Sequence, residues 1–534
     1  MLPTINLAEL QSSLIAFAPE LVLCGGIIIL LLLRMLPSLE RVHLGYFSLF
    51  IVVAALVVSW IEWVNGEYDT RPVFAGMVTA DALTVYMRLL LLGFTALVVV
   101  LTLLTNLPER EDSCDFHVLL LGGTLGMLLM CSATHLLMVY IAVEMASLPS
   151  YALAGFLKLR RQSSEAALKY VVYGGAASGV MLYGISLLAG RFGTGYLPEV
   201  AAGFAVAMQQ GPVDAALLVG LLMIVIGLAF KLSAVPFHFW CPDVFEGAAA
   251  EVAGFLSVAS KGAAVALTGR FTLALVGGLP NEWATYDMWQ RVALYLGPTL
   301  ALLAAITTTF GNLAAYAQTN LKRLLAYSTI AHAGYMLMAL ATLTREGLDA
   351  ALFYLIAYLF MNLGAFAVVA FLRDLAGTED LSGYSGMIQR APVLTVTLAV
   401  FLLSLVGLPP LMGYMVKFQI FAALWKAYQD FNNIGLLVLL VIGLLNTVIS
   451  LFYYVRVLKV MILDPAPGEA GPVRAPPGQI IFVTLLAAVV TVGIVAWDPL
   501  ALHGSGRAVS QFRPIKPSGQ PPTASAPAAA VTAR

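Results

Sequence analysis

Three lysines and one glutamate stand where the surrounding sequence is apolar: Glu144 in LLMVYIAVEMASLPSYAL, Lys231 in FKLSAVPFHFW, Lys261 in LSVASKGAAVAL and Lys417 in GLPPLMGYMVKFQIF. A charged group near a bilayer centre costs about 2.5–3.5 kcal/mol even on the mildest insertion scale, so several in one chain point to a path for ions or protons. A desolvated lysine near a carboxylate can hold or release its proton at modest cost, and Glu144 with Lys231 reads as such a coupled pair. His332, in RLLAYSTIAHAGYML, adds an imidazole that titrates near neutral pH and suits a relay between Lys261 and Lys417.

Three of these residues also have a plainer reading. Glu144 can be a structural carboxylate satisfied by a neighbouring helix, Lys261 a lysine that snorkels to the interface, and His332 a ring bonded to a backbone carbonyl. Depth favours function for Glu144, which lies about ten residues, or roughly 15 Å of helix, into its apolar run. The long apolar flanks of Lys261 oppose snorkelling, and Ser257, Ser260 and Gly262 around it let helices and water approach. Tyr358, Ser328 and Thr329 offer hydroxyls for a water wire, although packing explains each alone. Lys169 either modulates Glu144 or reaches the cytoplasmic interface. Arg88 and Glu20, nearer span ends, read as interfacial or inter-subunit residues.

The elements that must position these groups are membrane helices. The 534 residues are 60% hydrophobic and 11% charged, far from a soluble composition. Apolar windows place about fourteen spans, near 14–35, 43–63, 80–105, 116–133, 135–157, 165–190, 213–235, 249–274, 292–315, 323–344, 349–372, 392–425, 433–460 and 478–497. The fold class is therefore an all-α membrane protein. Pro236 ends one span and Pro409 with Pro410 interrupts another, so two helices are expected to be discontinuous, which backbone tolerates only beside protein or water. Each falls in the fourth member of a five-span set. The expected organisation is helices 1–3 over residues 1–115, five-helix repeats over 116–275 and 290–462, a last helix over 463–502 and a disordered tail over 503–534.

The N-terminus lacks a basic residue before its apolar run and is expected to remain as helix one rather than be removed. Basic residues concentrate in loops after odd-numbered spans, among them Arg160, Arg161, Lys322 and Arg323, which puts those loops in the cytoplasm and both termini outside. A formal net charge of −1 gives no sign of a nucleic-acid partner. Cys24, Cys114, Cys131 and Cys241 are scattered, with no pattern for an iron–sulfur cluster or zinc, and read as packing residues.

Several stretches together carry a family resemblance: MVYIAVEMASLPSYALAGF, GLAFKLSAVPFHFWCPDVFEGA, AGFLSVASKGAA, NLKRLLAYSTIAHAGYMLM, ALFYLIAYLFMNLGAFAVVAFL and GLPPLMGYMVKF. Over about residues 15 to 460 the chain resembles the N-subunit family of bacterial proton-translocating NADH:quinone oxidoreductase, respiratory complex I, the counterpart of mitochondrial subunit 2. FMNLGAF is typical of that family, and Lys417 stands where the M-type sibling has Glu. The resemblance implies an antiporter-like fold with inverted repeats and a subunit of a translocase in the bacterial inner membrane. It implies a proton path along the charged axis Glu144, Lys231, Lys261 and Lys417, which His332 on the residue reading would join, and no cofactor in this chain, with NADH, FMN, iron–sulfur clusters and quinone held by partner subunits. Partners would be the lipid bilayer and other membrane-arm subunits, including antiporter-like ones. The alternative with the same fold is a subunit of a multi-subunit sodium/proton antiporter.

One departure stands out. After FEGA the family usually continues Pro-Thr-Pro-Val, whereas this chain reads Ala249, Ala250, Glu251, Val252. Glu251 is expected either at the cytoplasmic surface or, less simply, as an interior carboxylate that tunes Lys261 about three helical turns on.

Overall fold

The structure, a computed structural model, describes residues 7–35, 43–66, 70–109, 111–210, 214–277, 286–466, 475–495 and 504–512. In chain order its helices are α1 Leu7–Ala16, α2 Ala18–Arg34, α3 Gly45–Asn65, α4 Ala82–Thr105, α5 Ser113–Ser132, α6 Leu136–Ala154, α7 Arg161–Phe192, α8 Leu197–Gln210, α9 Ala215–Leu232 and α10 Trp240–Gly247. There follow α11 Ala250–Phe255, a π-helical turn Leu256–Ser260, α12 Lys261–Gly277, α13 Tyr286–Ala315, α14 Leu321–Leu340, α15 Arg345–Ala376, α16 Met387–Arg390, α17 Pro392–Val406, α18 Met412–Phe431, α19 Ile434–Ile462 and α20 Pro477–Val492. One small antiparallel hairpin, β1 Arg71–Val73 with β2 Val78–Ala80, precedes α4.

Helix starts follow local capping chemistry. Asp81 accepts from Thr84 N at 2.8 Å to begin α4, Asn320 accepts from Arg323 N at 3.1 Å to begin α14, and Thr344 accepts from Gly347 N at 3.1 Å to begin α15. Burial orders the bundle. In the stretch Ala250–Val276 the apolar window is 100% buried and in α15 it is 89% buried, against 33% for α3 and α7, so the segment bearing Lys261 lies at the centre.

Among the described residues ten helices are long and apolar enough to cross a membrane, or eleven if the bent pair α1 and α2 is one span. The expected fourteen is not reached by that measure. The span at 392–425 is two helices, α17 and α18, and α17 and α20 are apolar but short. Both expected interruptions are present: α9 ends at Ser233 with φ +57°, and α17 ends at Gly407 with φ +90°.

Three charge pairs correct the sequence reading. Arg88 and Glu20 are not interfacial: both are buried, in a bidentate bridge with Nε–Oε1 2.8 Å and Nη2–Oε2 2.9 Å, and Glu62 takes Nη1 at 2.9 Å. Glu251 is neither at the surface nor aimed at Lys261; it is fully buried and pairs with Arg373 at 3.3 Å. Arg270, unremarked within its apolar run, is held by Asp81 at 2.5 Å. Part of the supposed tail is also packed: Gln511 donates to Asp81 at 3.0 Å and Arg507 sits over the Trp63 ring at 4.9 Å. Residues 513–534 of that tail lie outside the described residues.

Candidate functional site: buried lysines at two helix breaks

Lys231 occupies the last turn of α9, just before the chain leaves the helix, and is 1% exposed. The break exposes carbonyls of that turn, and Trp240 Nε1 returns from α10 to bond Phe230 O at 3.2 Å. Lys231 Nζ donates to Ser147 Oγ on α6 at 2.9 Å. Glu144 lies one turn before Ser147 on the same helix, so both side chains project from one face. Its carboxylate does not touch the lysine; it takes a close hydrogen bond from the Ser178 hydroxyl of α7. The expected pair is thus an electrostatic neighbourhood whose members each hydrogen-bond a different serine, Ser147 and Ser178, and not an ion pair.

Lys261 opens α12 directly after the π-helical turn, a local widening that often marks functional sites. It is fully buried, with Cys241 Sγ at 3.8 Å and the Phe245 ring at 5.9 Å as its neighbours of note. Both come from α10, the short helix between the break and the departure at Ala249. Cys241, read as mere packing, is therefore a contact of the central lysine. The hydroxyl of the adjacent Ser260 and Oδ1 of Asn362, whose Nδ2 donates to Ser257 one turn before Lys261, have no protein partner among the described residues, and buried polar atoms of this kind are ordinarily satisfied by water.

His332 is buried in α14, and its neighbours are tyrosines rather than a carbonyl. Nδ1 lies 2.5 Å from Tyr354 Oη and Nε2 3.3 Å from Tyr454 Oη, which in turn meets Ser328 Oγ at 2.5 Å. Of the hydroxyls expected to line a wire, Ser328 joins this cluster, Thr329 bonds back to Leu325 O, and the Tyr358 ring lies tilted against His332 at 5.1 Å with its hydroxyl unpaired among the described residues. Tyr354 and Tyr454 were the missed members. The ring lies within electrostatic reach of both Lys261 and Lys417.

Lys417 follows its break, in the second turn of α18. Its Nζ donates to Val406 O, the last residue of α17, at 2.9 Å and lies 4.6 Å from the centre of the Tyr335 ring. A helix C-terminus carries partial negative charge and an aromatic face is likewise negative, so both favour the ammonium. Lys169 does not contact Glu144: half-exposed, it bridges Glu165 at 2.9 Å and Asp243 at 2.6 Å, and Arg323 joins Asp243 and Glu246 at 2.7 and 2.6 Å around a cavity of about 220 Å³. None of Lys231, Lys261 and Lys417 has a carboxylate within 4.0 Å among the described residues. That sets them apart from Arg88, Arg270 and Lys322, which are buried and paired.

Interrupted helices that enclose unpaired lysines within an apolar bundle define a polytopic membrane protein of antiporter-like architecture. A family model described as "NADH:quinone oxidoreductase/Mrp antiporter, TM" matches residues 133–450. The chain is 38% identical over 495 residues to NADH-quinone oxidoreductase subunit N of Anaeromyxobacter sp. strain Fw109-5, covering 91% of this chain and 94% of that one. Among solved structures, a chain of respiratory complex I from Thermus thermophilus with bound aureothin is 30% identical, with a TM-score of 0.71 over 91% of this chain and 99% of that one. A chain of the Mrp complex from Dietzia sp. DQ12-45-1b, 19% identical, matches in fold with a TM-score of 0.79 over 93% and 97%. The chain belongs to the NADH-quinone oxidoreductase subunit N family.

Proposed function

We propose that this chain is a membrane-arm subunit of a proton-translocating NADH:quinone oxidoreductase, coupling electron transfer in partner subunits to proton movement along Glu144, Lys231, Lys261, His332 and Lys417. The observation that carries the reading is the set of three buried lysines without a carboxylate in contact. A buried ammonium with only neutral partners is close in energy to its neutral form, so small movements of a nearby charge decide whether it keeps its proton. Glu144 moved towards Lys231 favours the charged lysine, and withdrawal favours release towards Lys261. His332 and its tyrosines bridge the interval to Lys417. NADH, FMN, iron–sulfur clusters and quinone belong to partner subunits in this reading, as do other antiporter-like subunits packed in the same bilayer.

In vesicles containing the assembled complex, Lys231→Ala should lower proton pumping about a hundredfold, the scale of lost acid–base participation, while assembly persists. Glu144→Gln should act in the same direction, and the double variant should lose less than the sum, because both act on one site. Full additivity would rule out the coupling.

The two five-helix repeats, 116–275 and 290–462, the bacterial inner membrane and external termini are part of the same proposal. Ser163, beside Arg160 and Arg161, is buried, so the exposed Ser164 is the better position for a labelling cysteine. A cysteine there should resist an impermeant reagent added outside cells, and one at Ser518 should react; the reverse would invert the orientation.

A further inference from the structure

A cavity of about 570 Å³ lies where α4, α6 and α15 end and α7 begins, all on one side of the bundle. Three cations and three anions line it. Lys158 is 3.5 Å from Asp112, and Arg373 is 2.9 Å from Asp374, which leaves one residue of each sign. Those two, Arg160 and Glu109, are exposed and have no ion-pair partner among the described residues. Leu159, between Lys158 and Arg160, is fully exposed at 102%, in the turn that joins the membrane-spanning helices α6 and α7.

An open cation and an open anion lining one cavity suit a ligand that carries both charges. An exposed leucine flanked by cations at a helix end has the form of a residue whose apolar part meets acyl chains while its neighbours meet phosphate. We propose that this cavity binds the headgroup of a zwitterionic phospholipid with a primary ammonium, of the phosphatidylethanolamine type. Arg160 would donate to the phosphate and Glu109 would accept from the ammonium, charge-assisted contacts that a quaternary choline, lacking N–H donors, makes poorly. The balanced wall disfavours a purely anionic headgroup, because the phosphate would then face Glu109 with no ammonium to meet it.

Native mass spectrometry of the full chain in detergent tests this with dioleoyl phosphatidylethanolamine, phosphatidylglycerol and phosphatidylcholine, and with inorganic phosphate. The ethanolamine lipid should bind about tenfold more tightly than either other lipid, and Arg160→Ala and Glu109→Gln should each remove about that factor. Both side chains are exposed, so neither variant threatens the fold. Leu159→Ser should weaken the lipid but leave glycerophosphoethanolamine unchanged. Equal or tighter phosphatidylglycerol binding would overturn the headgroup assignment. Displacement of the lipid by inorganic phosphate would make this a phosphate site, and lipid binding indifferent to both variants would place the lipid elsewhere.

Discussion

The two helix breaks hold their lysines in opposite ways. Lys231 precedes its break and reaches across to a side-chain hydroxyl, Ser147, one turn from the half-buried Glu144. Lys417 follows its break and reaches back to a main-chain carbonyl, Val406 O, under a tyrosine ring. A hydroxyl turns with its rotamer, and a carboxylate beside it can exchange partners. A helix-terminal carbonyl is fixed by the backbone. On the proposed proton path the difference would let the first site be switched by side-chain movement and the second hold a proton in a set field until the path delivers or removes one.

That contrast breaks most severely at Gly407. Its φ is +90°, and a Cβ there would lie 3.0 Å from Lys417 Cδ, so Gly407→Ala adds backbone strain and pushes the lysine off its carbonyl. Pumping in vesicles should fall by about tenfold or more, the worth of some 1–2 kcal/mol of strain plus the lost contact, with the effect of Glu144→Gln still fully expressed on top. Ser147→Ala should cost less, severalfold, since a hydrogen bond to a charged group contributes about 1.5–3 kcal/mol and water can replace part of it. Its effect should vanish when Glu144→Gln is already present. If both substitutions gave the same coupling to Glu144, the two sites would not differ as described. The smallest effect on pumping should come from Glu251→Gln. That change breaks a buried pair with Arg373 rather than a site contact, so it should lower thermal stability of the purified chain by a few kcal/mol equivalent and leave the pH profile of pumping unmoved.

Much of this was legible because it is local. Apolar runs marked the helices, Pro236, Pro409 and Pro410 marked the breaks, and the lysines betrayed themselves by interrupting apolar sequence. What could not be read is pairing across the bundle. Arg88 finds Glu20 across 68 positions, Arg270 finds Asp81 across 189 and Arg373 finds Glu251 across 122, and no local pattern encodes such partners. The same blindness sent Glu251 to the surface and Arg88 to an interface. Tyr354 and Tyr454 were hidden for a related reason, since an aromatic in an apolar helix looks like packing until its hydroxyl is seen against His332. Only its side chain's 3.8 Å approach to Lys261 separates Cys241 from the other cysteines. The count of fourteen spans is not confirmed by length and composition among the described residues, because α14, α17, α18 and α20 are polar, proline-broken or short.

The central claim is that protons pass through the enclosed middle of the bundle, and Lys261 is its only buried, unpaired lysine between the two breaks among the described residues. The most direct measurement is the number of protons translocated per NADH oxidised, taken in vesicles carrying the assembled complex with Lys261→Ala. The account predicts a lower ratio at matched rates of quinone reduction, because the path between Lys231 and Lys417 is cut while the redox partners are untouched. A wild-type ratio in that variant would contradict it.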